Sequence, residues 1–278
     1  MSATRVVAPP IFILSGLPRS GTNFLWELVR RHPRCASARP PIWEDYFLKN
    51  AGLLNRFASE VQGSWDPVWG STDHLRPQLL AKLGDAVVDF LSIDPHRRAV
   101  TKSPTVANLE LFFDVFPRAH LLLLVRDGRD VAASGMRTFG WTLEESASSW
   151  SSTTKRILDF VDNSTGRSVR VVRFEDLVVD TESALMDVLS FLDLPADTYD
   201  LDLLDEIPVR GSSAYLGPGR SDINWEVQSR PRGFSPIGRW RSWRASDIET
   251  FEAIAGEQLG DLGYETGPDV RFPAEGVG

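Results

Sequence analysis

Short runs of apolar residues recur along the chain, and polar residues or glycines separate them from the segments that follow. Most of these runs lack the alternation of a half-exposed strand and the spacing of a helix, a pattern typical of strands buried on both faces of a parallel sheet. They predict four strands, at residues 11–15, 99–102, 121–125 and 169–174.

Between these runs the apolar residues take helical spacing. Thr142 and Ser246 are each followed three positions later by a glutamate, Glu145 and Glu249, which is the capping-box signature of a helix start. The helical segments predicted in this way are residues 23–31, 43–61, 76–91, 142 to about 161, and 246 to about 259.

The alternation of strands and helices predicts an α/β fold with a mostly parallel central sheet flanked by helices. With 278 residues, 42% of them apolar, the chain suits a single domain over residues 1–278. The segment at about 43–92 is expected to form a helical excursion between the first two strands. Ligands of such sheets bind beyond the carboxyl ends of the strands, so the loops there are the place to look for a site.

The chain carries a net charge of −8, which is unevenly distributed. The first 40 residues hold six arginines and one acidic residue, a local charge of +5, so the remainder carries −13. Nucleic acid usually meets a broadly basic face, and we therefore expect no nucleic-acid partner. One basic region on an acidic protein favours a small anionic ligand instead.

Several other classes of protein are disfavoured by composition. The lone Cys35 argues against a disulfide framework and against a cysteine metal cage. No apolar run approaches the ~20 residues of a membrane span, and prolines interrupt the stretch where a signal peptide would lie. We therefore expect a cytoplasmic protein without a membrane span.

The turn after the first predicted strand reads GLPRSGTN. The spacing of Gly16 and Gly21 and the helix that follows are typical of a phosphate-binding loop, although an ordinary strand-to-helix turn has the same glycines. A loop that hydrolyses nucleoside triphosphates continues with a lysine and then a hydroxyl residue for Mg²⁺. Here Thr22 and Asn23 follow, and the cation is Arg19, so a kinase or ATPase is disfavoured.

Two blocks resemble the nucleotide-binding motifs of sulfotransferases. PRSGTN resembles the family's 5′-phosphosulfate loop, particularly in the tyrosylprotein and bacterial branches, and LLLLVRDGRDVAAS resembles its 3′-phosphate motif. An arginine at a strand end and a hydroxyl on the next helix can both reach a terminal phosphate. The resemblance implies donor-binding roles for Arg19, Ser20, Gly21, Thr22, Asn23, Arg126 and Ser134.

The second block also has a purely structural interpretation, a surface turn in which its charged residues pair with one another. For Arg129 and Asp130 we favour this interpretation.

Two further blocks follow in the family's order. TKSP resembles the block that supplies the catalytic lysine of sulfotransferases, here Lys102. RFEDL resembles the block whose aromatic residue contacts the adenine, here Phe174, and Phe24 is the candidate for the opposite face. A plain core role is an equal alternative for both rings.

A fifth match departs from the family pattern. RPRG and GRWR resemble the loop that closes over the nucleotide, here at about residues 228–244, but the spacing is longer and arginine replaces lysine. The resemblance adds Arg232, Gly233 and Arg239 as candidates for contact with the donor. An exposed basic loop is the alternative.

Taken together, these blocks imply a transferase that uses 3′-phosphoadenosine 5′-phosphosulfate (PAPS), with no metal and no covalent intermediate. In-line transfer requires positioning and stabilisation of charge on the leaving oxygen. We assign that charge to Lys102 and place Arg19 beside the 5′-phosphate.

The acceptor hydroxyl also needs a base. Cytosolic animal and plant sulfotransferases have a histidine where this chain has Pro104. The tyrosylprotein and carbohydrate branches are similar in using a glutamate shortly after the first helix, and Glu44 occupies that place. Asp45 and His74 are the alternative bases.

The sequence indicates the acceptor only by class. Six of the nine tryptophans fall in predicted loops or at element ends, where they suit a sugar or an aromatic acceptor, whereas Trp26 and Trp150 are expected in the core. Residues 209–219 suit a mobile lid. Because the chain is acidic, we expect a small hydroxylated metabolite or a glycoside rather than an acidic peptide. The six tryptophans are Trp43, Trp65, Trp69, Trp141, Trp225 and Trp243.

Two other functions stay open. A P-loop kinase using ATP is disfavoured by the glycine loop, and a nucleotide-binding protein without turnover is disfavoured by Lys102 and Glu44. The sequence does not indicate the oligomeric state.

Overall fold

The computed structural model describes residues 8–39, 44–66, 68, 70–209 and 235–267. Within these residues, the strands form one sheet in the order β2-β3-β1-β4-β5, and every neighbouring pair is parallel. The α/β fold with a central parallel sheet is thus confirmed. The strands are β1 (Ile11–Ser15), β2 (Cys35–Ser37), β3 (Arg98–Ser103), β4 (His120–Val125) and β5 (Val169–Arg173).

Helices cover both faces of this sheet. In the described part of the chain they are α1 (Thr22–Arg30), α2 (Ala51–Gly63), α3 (Leu75–Leu91), α4 (Phe112–Val115), α5 (Gly128–Phe139), α6 (Leu143–Asp162), α7 (Phe174–Val179), α8 (Thr181–Phe191) and α9 (Ala245–Asp261). None of the helices in these residues is both long and apolar enough to cross a bilayer.

The central strand β1 shows why its apolar run is continuous. Ile11 and Ile13 face a core shared with α1, α7 and α8, whereas Phe12 and Leu14 face a second core shared with α2, α3, α4 and α6. All of β1 is buried. Burying a large apolar side chain contributes roughly 1.5–3 kcal/mol, so a strand covered on both faces needs apolar residues at every position.

The segment between α1 and β3 differs from the prediction in two ways. The short strand β2 precedes the helical excursion, which therefore lies between the second and third strands. The predicted helix over residues 43–61 is wrong in its first part, because a short 3₁₀ turn at Leu48–Asn50 leads into α2 only at Ala51. Backbone pairing causes this: Asp45 N donates to Lys102 O of β3 at 3.0 Å, which holds that part of the segment out of a helix.

The two predicted capping boxes have different outcomes. Thr142 accepts from Glu145 N and the Glu145 side chain accepts from Thr142 N, so the box that starts α6 is confirmed. The predicted start of α9 at Ser246 is wrong, since the helix begins at Ala245 after Arg244. Asp247 N and Ile248 N both donate to Arg244 O, at 3.0 and 3.2 Å, so Ser246 lies inside the first turn rather than before it.

Candidate active site

The site forms where the carboxyl ends of three neighbouring strands meet. In the parallel register, Leu14 of β1 lies beside Ser103 of β3, and Ser15 lies beside Leu124 of β4. The glycine loop after β1, Lys102 near the end of β3, and Arg126 after β4 are therefore brought to one edge of the sheet. The structure thus brings together residues that are far apart in the sequence.

The glycine loop has a backbone that few other residues would permit. Gly21 has φ of 98°, and a Cβ there would lie 2.3 Å from Phe174 Cδ2, so a larger residue would be both strained and blocked. Arg19 also has a positive φ, 77°, which costs free energy in a residue other than glycine and is common at ligand sites. The first-turn N–H groups of α1 follow directly, and such groups bind anions.

Arg126 is a buried cation that contacts two loops of the site. Its Nη1 donates to Arg19 O at 2.7 Å and its Nη2 donates to Pro236 O at 2.5 Å. The guanidinium also lies 4.7 Å from the centre of the Phe174 ring. Arg126 therefore joins the glycine loop to the segment that follows residue 234.

The guanidinium groups of Arg19, Arg126 and Arg239 lie close enough together to affect one another. Arg19 Nε donates to Ser134 Oγ at 3.0 Å. Burial, followed by the charges of Arg126 and Arg239, lowers the pKa of Arg19 to about 10. Burial and the charge of Arg126 also lower the pKa of Arg239. Buried cations that repel one another are unfavourable alone and favour a bound anion.

The expectation of a surface turn at Arg129 and Asp130 is wrong, because both residues are buried. Arg129 is 1% exposed and pairs with Asp127 and Glu252, each at 2.9 Å. Its guanidinium lies 3.7 Å from the centre of the Trp240 ring. The burial has a plain cause: α9 and the turn at Arg239–Ser242 cover α5 and enclose its charged first turn.

Asp130 holds the segment that carries Arg239. Its carboxylate accepts from Gly238 N at 2.8 Å and from Arg239 N at 2.7 Å. These bonds explain how a residue more than a hundred positions along the chain reaches Arg126. The sequence carries no signal for this role, because RDGRD has the composition of an ordinary exposed turn.

Lys102 is buried next to a carboxylate at the end of β3. The residue is 2% exposed, and its Nζ lies 3.4 Å from Glu44 Oε1. Burial lowers the pKa of Lys102, while the neighbouring Glu44 charge acts in the opposite direction. The Trp26 ring centre is 6.0 Å from the same Nζ. The structure thus brings together the predicted lysine and the predicted base.

Asp45 and His74 are placed differently from Glu44. Asp45 is buried, accepts from Thr101 Oγ1 at 2.5 Å and from Phe47 N at 3.3 Å, and has its pKa raised by burial to about 6. Its carboxylate is therefore engaged with β3 and the following turn. His74 lies exposed directly before α3. Of the three candidate bases, Glu44 is the one whose side chain pairs with the lysine.

The aromatic candidates lie beside the arginine cluster, which is formed by Arg19, Arg126 and Arg239. Phe24 and Phe174 meet edge to face, with ring centres 6.3 Å apart, and Phe174 is buried in the core. Trp26 and Trp150 are buried, as predicted, and Trp65 is exposed. Arg232, Gly233, Trp43, Trp69, Trp225 and the predicted lid beyond residue 209 lie outside the described residues.

Two buried polar atoms at this edge have no hydrogen-bond partner in the described structure. They are Arg126 Nε and Ser103 Oγ. Buried donors are almost always paired, and each unpaired one costs about 1–3 kcal/mol. A polar anionic ligand at this edge suits both groups.

Comparisons of the sequence and of the fold with known proteins both find sulfotransferases. The model of the sulfotransferase family matches residues 9–198. Protein-tyrosine sulfotransferase A of Caenorhabditis elegans is 21% identical over 202 residues, covering 68% of this chain and 51% of the relative. The chain therefore spans about half the length of that relative.

Solved structures of low sequence identity share the fold. The sulfotransferase domain from the curacin biosynthetic pathway superposes with a TM-score of 0.54 and 19% identity, covering 94% of this chain and 99% of that domain. Mouse sulfotransferase SULT7A1, solved in complex with PAP, gives a TM-score of 0.51 and 13% identity, covering 92% of this chain and 86% of the mouse chain.

Proposed function

Because the chain belongs to the sulfotransferase family, we propose that it transfers a sulfuryl group from PAPS to an acceptor hydroxyl. The observation that carries the proposal is the buried Lys102, paired with Glu44 at 3.4 Å on the same sheet edge as the glycine loop and the arginine cluster. In this proposal, the cation, the base and the anion site all lie at one edge of the sheet.

The donor carries negative charge at two ends, and two groups of this chain match them. Arg126, Ser134 and Arg239 would hold the 3′-phosphate through charge-assisted hydrogen bonds. Because Arg19 Nε lies 3.0 Å from Ser134 Oγ, we propose that its guanidinium serves the 3′-phosphate end, whereas the sequence alone places it beside the 5′-phosphate. The N–H groups of the glycine loop and of the first turn of α1 would hold the 5′-phosphate.

The reaction exchanges one sulfur–oxygen bond for another. The acceptor oxygen bonds to sulfur as the bond between sulfur and the 5′-phosphate oxygen breaks, and Glu44 takes the hydroxyl proton. Lys102 donates to the leaving oxygen, where negative charge grows in the transition state. An ammonium group has three N–H donors, so one can remain with Glu44 while another serves the leaving oxygen. The products are a sulfate ester and 3′,5′-ADP.

The environment of each carboxylate supports Glu44 as the base. Asp45 is 2% exposed and its carboxylate is turned to Thr101 and to a backbone N–H, so it is less accessible to an acceptor hydroxyl than Glu44 is. Glu44 is partly exposed and lies beside the lysine. A base must come within hydrogen-bond reach of the proton that it removes.

We propose a small metabolite or a glycoside as the acceptor. Outside its first 40 residues the chain carries a net charge of −13. This charge disfavours an acidic peptide as the acceptor, since like charges repel. Exposed aromatic rings of the excursion, such as Tyr46 and Trp65, suit stacking on a ring or a sugar.

Glu44→Gln tests the assignment of the base. General-base catalysis typically contributes about 10²- to 10⁴-fold, so kcat is expected to fall by at least about 100-fold. The affinity for 3′,5′-ADP, measured by calorimetry, should not change, because the base contacts the acceptor. Glu60→Gln, on the exposed part of α2, is the matched control and should retain full turnover. Full activity of Glu44→Gln, with loss of activity in His74→Ala, would show that the base is misassigned.

A further inference from the structure

The Glu44 carboxylate has a second hydrogen-bond partner besides the lysine. Tyr46 Oη donates to Glu44 Oε2 at 2.6 Å, while Lys102 Nζ donates to Glu44 Oε1 at 3.4 Å. Each carboxylate oxygen is thus held by a different donor. A carboxylate oxygen has two lone-pair sites, so a site remains on each oxygen for the proton of an acceptor.

Tyr46 is itself fixed by its neighbours in the chain. Its carbonyl accepts from Asn50 Nδ2 at 2.9 Å and from Asn50 N at 3.2 Å. Lys49 Nζ lies 5.6 Å from the centre of its ring. These contacts hold the residue at the start of the excursion.

The residue between Glu44 and Tyr46 ties both of them to the sheet. Asp45 N donates to Lys102 O at 3.0 Å, and the Asp45 carboxylate accepts from Thr101 Oγ1 at 2.5 Å. The backbone on which Glu44 and Tyr46 stand is therefore anchored to the same strand that supplies the lysine. The phenol, the carboxylate and the ammonium group are held in one connected arrangement.

We infer that Tyr46 is a positioning residue that orients the Glu44 carboxylate toward the acceptor, an inference that rests on the proposed function. A glutamate side chain has three rotatable bonds, and an ion pair alone restrains only one of its oxygens. The short bond from the phenol fixes the other oxygen, which keeps the carboxylate plane in one orientation while the acceptor binds. Preorganisation of this kind acts on turnover rather than on donor affinity.

The position of the ring agrees with this role. Tyr46 is 46% exposed, so its ring contributes little to the core, while its hydroxyl makes the short bond. The carboxylate acts on the phenol in return, since the hydrogen bond to Glu44 raises the pKa of Tyr46 to about 12. A purely structural tyrosine would act through its ring, and its effect would not depend on Glu44.

A double-mutant cycle of Tyr46→Phe and Glu44→Gln separates these roles. Tyr46→Phe keeps the ring and removes the hydroxyl, and we expect kcat to fall about tenfold, as for loss of a hydrogen bond to a charged group. The KM for PAPS should be unchanged. In the Glu44→Gln background, Tyr46→Phe should lower kcat by less than about twofold, because there is no carboxylate left to orient. An equal loss in both backgrounds, or no loss in either, would overturn the inference.

A second measurement follows the hydrogen bond without any turnover. The chain has four tyrosines, Tyr46, Tyr199, Tyr215 and Tyr264. Near pH 11, about one unit above the usual tyrosine pKa, Glu44→Gln should show additional tyrosinate absorbance relative to the wild type. The double variant should lose that addition. Equal absorbance of Glu44→Gln and the wild type would show that the bond is absent in solution and would reject the inference.

A failure of the proposed function can be distinguished from a failure of the role given to Tyr46. If the wild-type protein bound no 3′,5′-ADP and transferred no sulfuryl group, the function would be rejected, and with it the role given to Tyr46. If the wild type does transfer the group, the cycle alone decides the role of Tyr46.

Discussion

Replacement of Lys102 by methionine should lower kcat by about 10²- to 10³-fold and leave the affinity for 3′,5′-ADP nearly unchanged. Lys102 Nζ is buried beside Glu44, and the loss of one donor to a developing anion typically has this magnitude. The effect falls on kcat because the charge on the leaving oxygen grows only as the sulfur–oxygen bond breaks. Turnover with saturating donor and calorimetric binding of 3′,5′-ADP measure the two quantities.

The methionine variant preserves much of the side-chain volume, which separates loss of charge from loss of packing. Lys155→Met is the matched control, because that lysine is 65% exposed on α6 and pairs with Asp159. The control should retain turnover. Wild-type turnover in Lys102→Met would refute the role given to this lysine, whereas equal losses in turnover and binding would assign it to donor binding instead.

Replacement of Arg126 by lysine should weaken the preference for 3′,5′-ADP over 5′-ADP. The guanidinium bridges Arg19 O and Pro236 O, and a lysine keeps the charge but lacks the fork that reaches several oxygens at once. Hydrogen bonds to charged groups contribute about 1.5–3 kcal/mol. Affinity for 3′,5′-ADP should therefore fall on the order of 10- to 100-fold, while the weaker binding of 5′-ADP, which lacks the 3′-phosphate, should change little.

Calorimetric titration of each nucleotide gives both affinities, and the thermal midpoint of the unliganded variant checks that it folds. Arg118→Lys is the control, since Arg118 is 67% exposed and pairs with Asp85 away from the sheet edge. An unchanged preference in a folded Arg126→Lys variant would place the 3′-phosphate elsewhere.

The parallel sheet, and the sheet edge at which the candidate residues meet, could be predicted because they follow from local patterns. The continuous apolar run of β1 is what a strand covered on both faces requires, and the glycine loop follows it directly. Strand β2 could not be predicted in this way. Its residues, Cys35–Ser37, are too few to show a period, and the partner that makes them a strand is β3, far along the chain.

The remaining details of the site depend on contacts between distant residues. Nothing near Asp45 indicates that its carboxylate binds Thr101, the neighbour of Lys102 on β3. The charged neighbours of Arg129 predict a surface position, yet α9 and Trp240 cover it. Local composition predicts exposure only when no later part of the chain packs against the segment.

Selective binding of 3′,5′-ADP is the most direct measurement of whether this protein uses a phosphosulfate donor. The midpoint of thermal unfolding is compared for the wild-type protein with 3′,5′-ADP, with 5′-ADP, and with ATP and Mg²⁺. A ligand present at about 100 times its Kd stabilises the folded state by about 2.7 kcal/mol. We expect 3′,5′-ADP to raise the unfolding midpoint by the amount that corresponds to this stabilisation, because Arg126, Arg19 and Ser134 bind its 3′-phosphate. The other two nucleotides should raise the midpoint much less. A larger shift with ATP and Mg²⁺, or no shift with 3′,5′-ADP, would contradict sulfuryl transfer from PAPS.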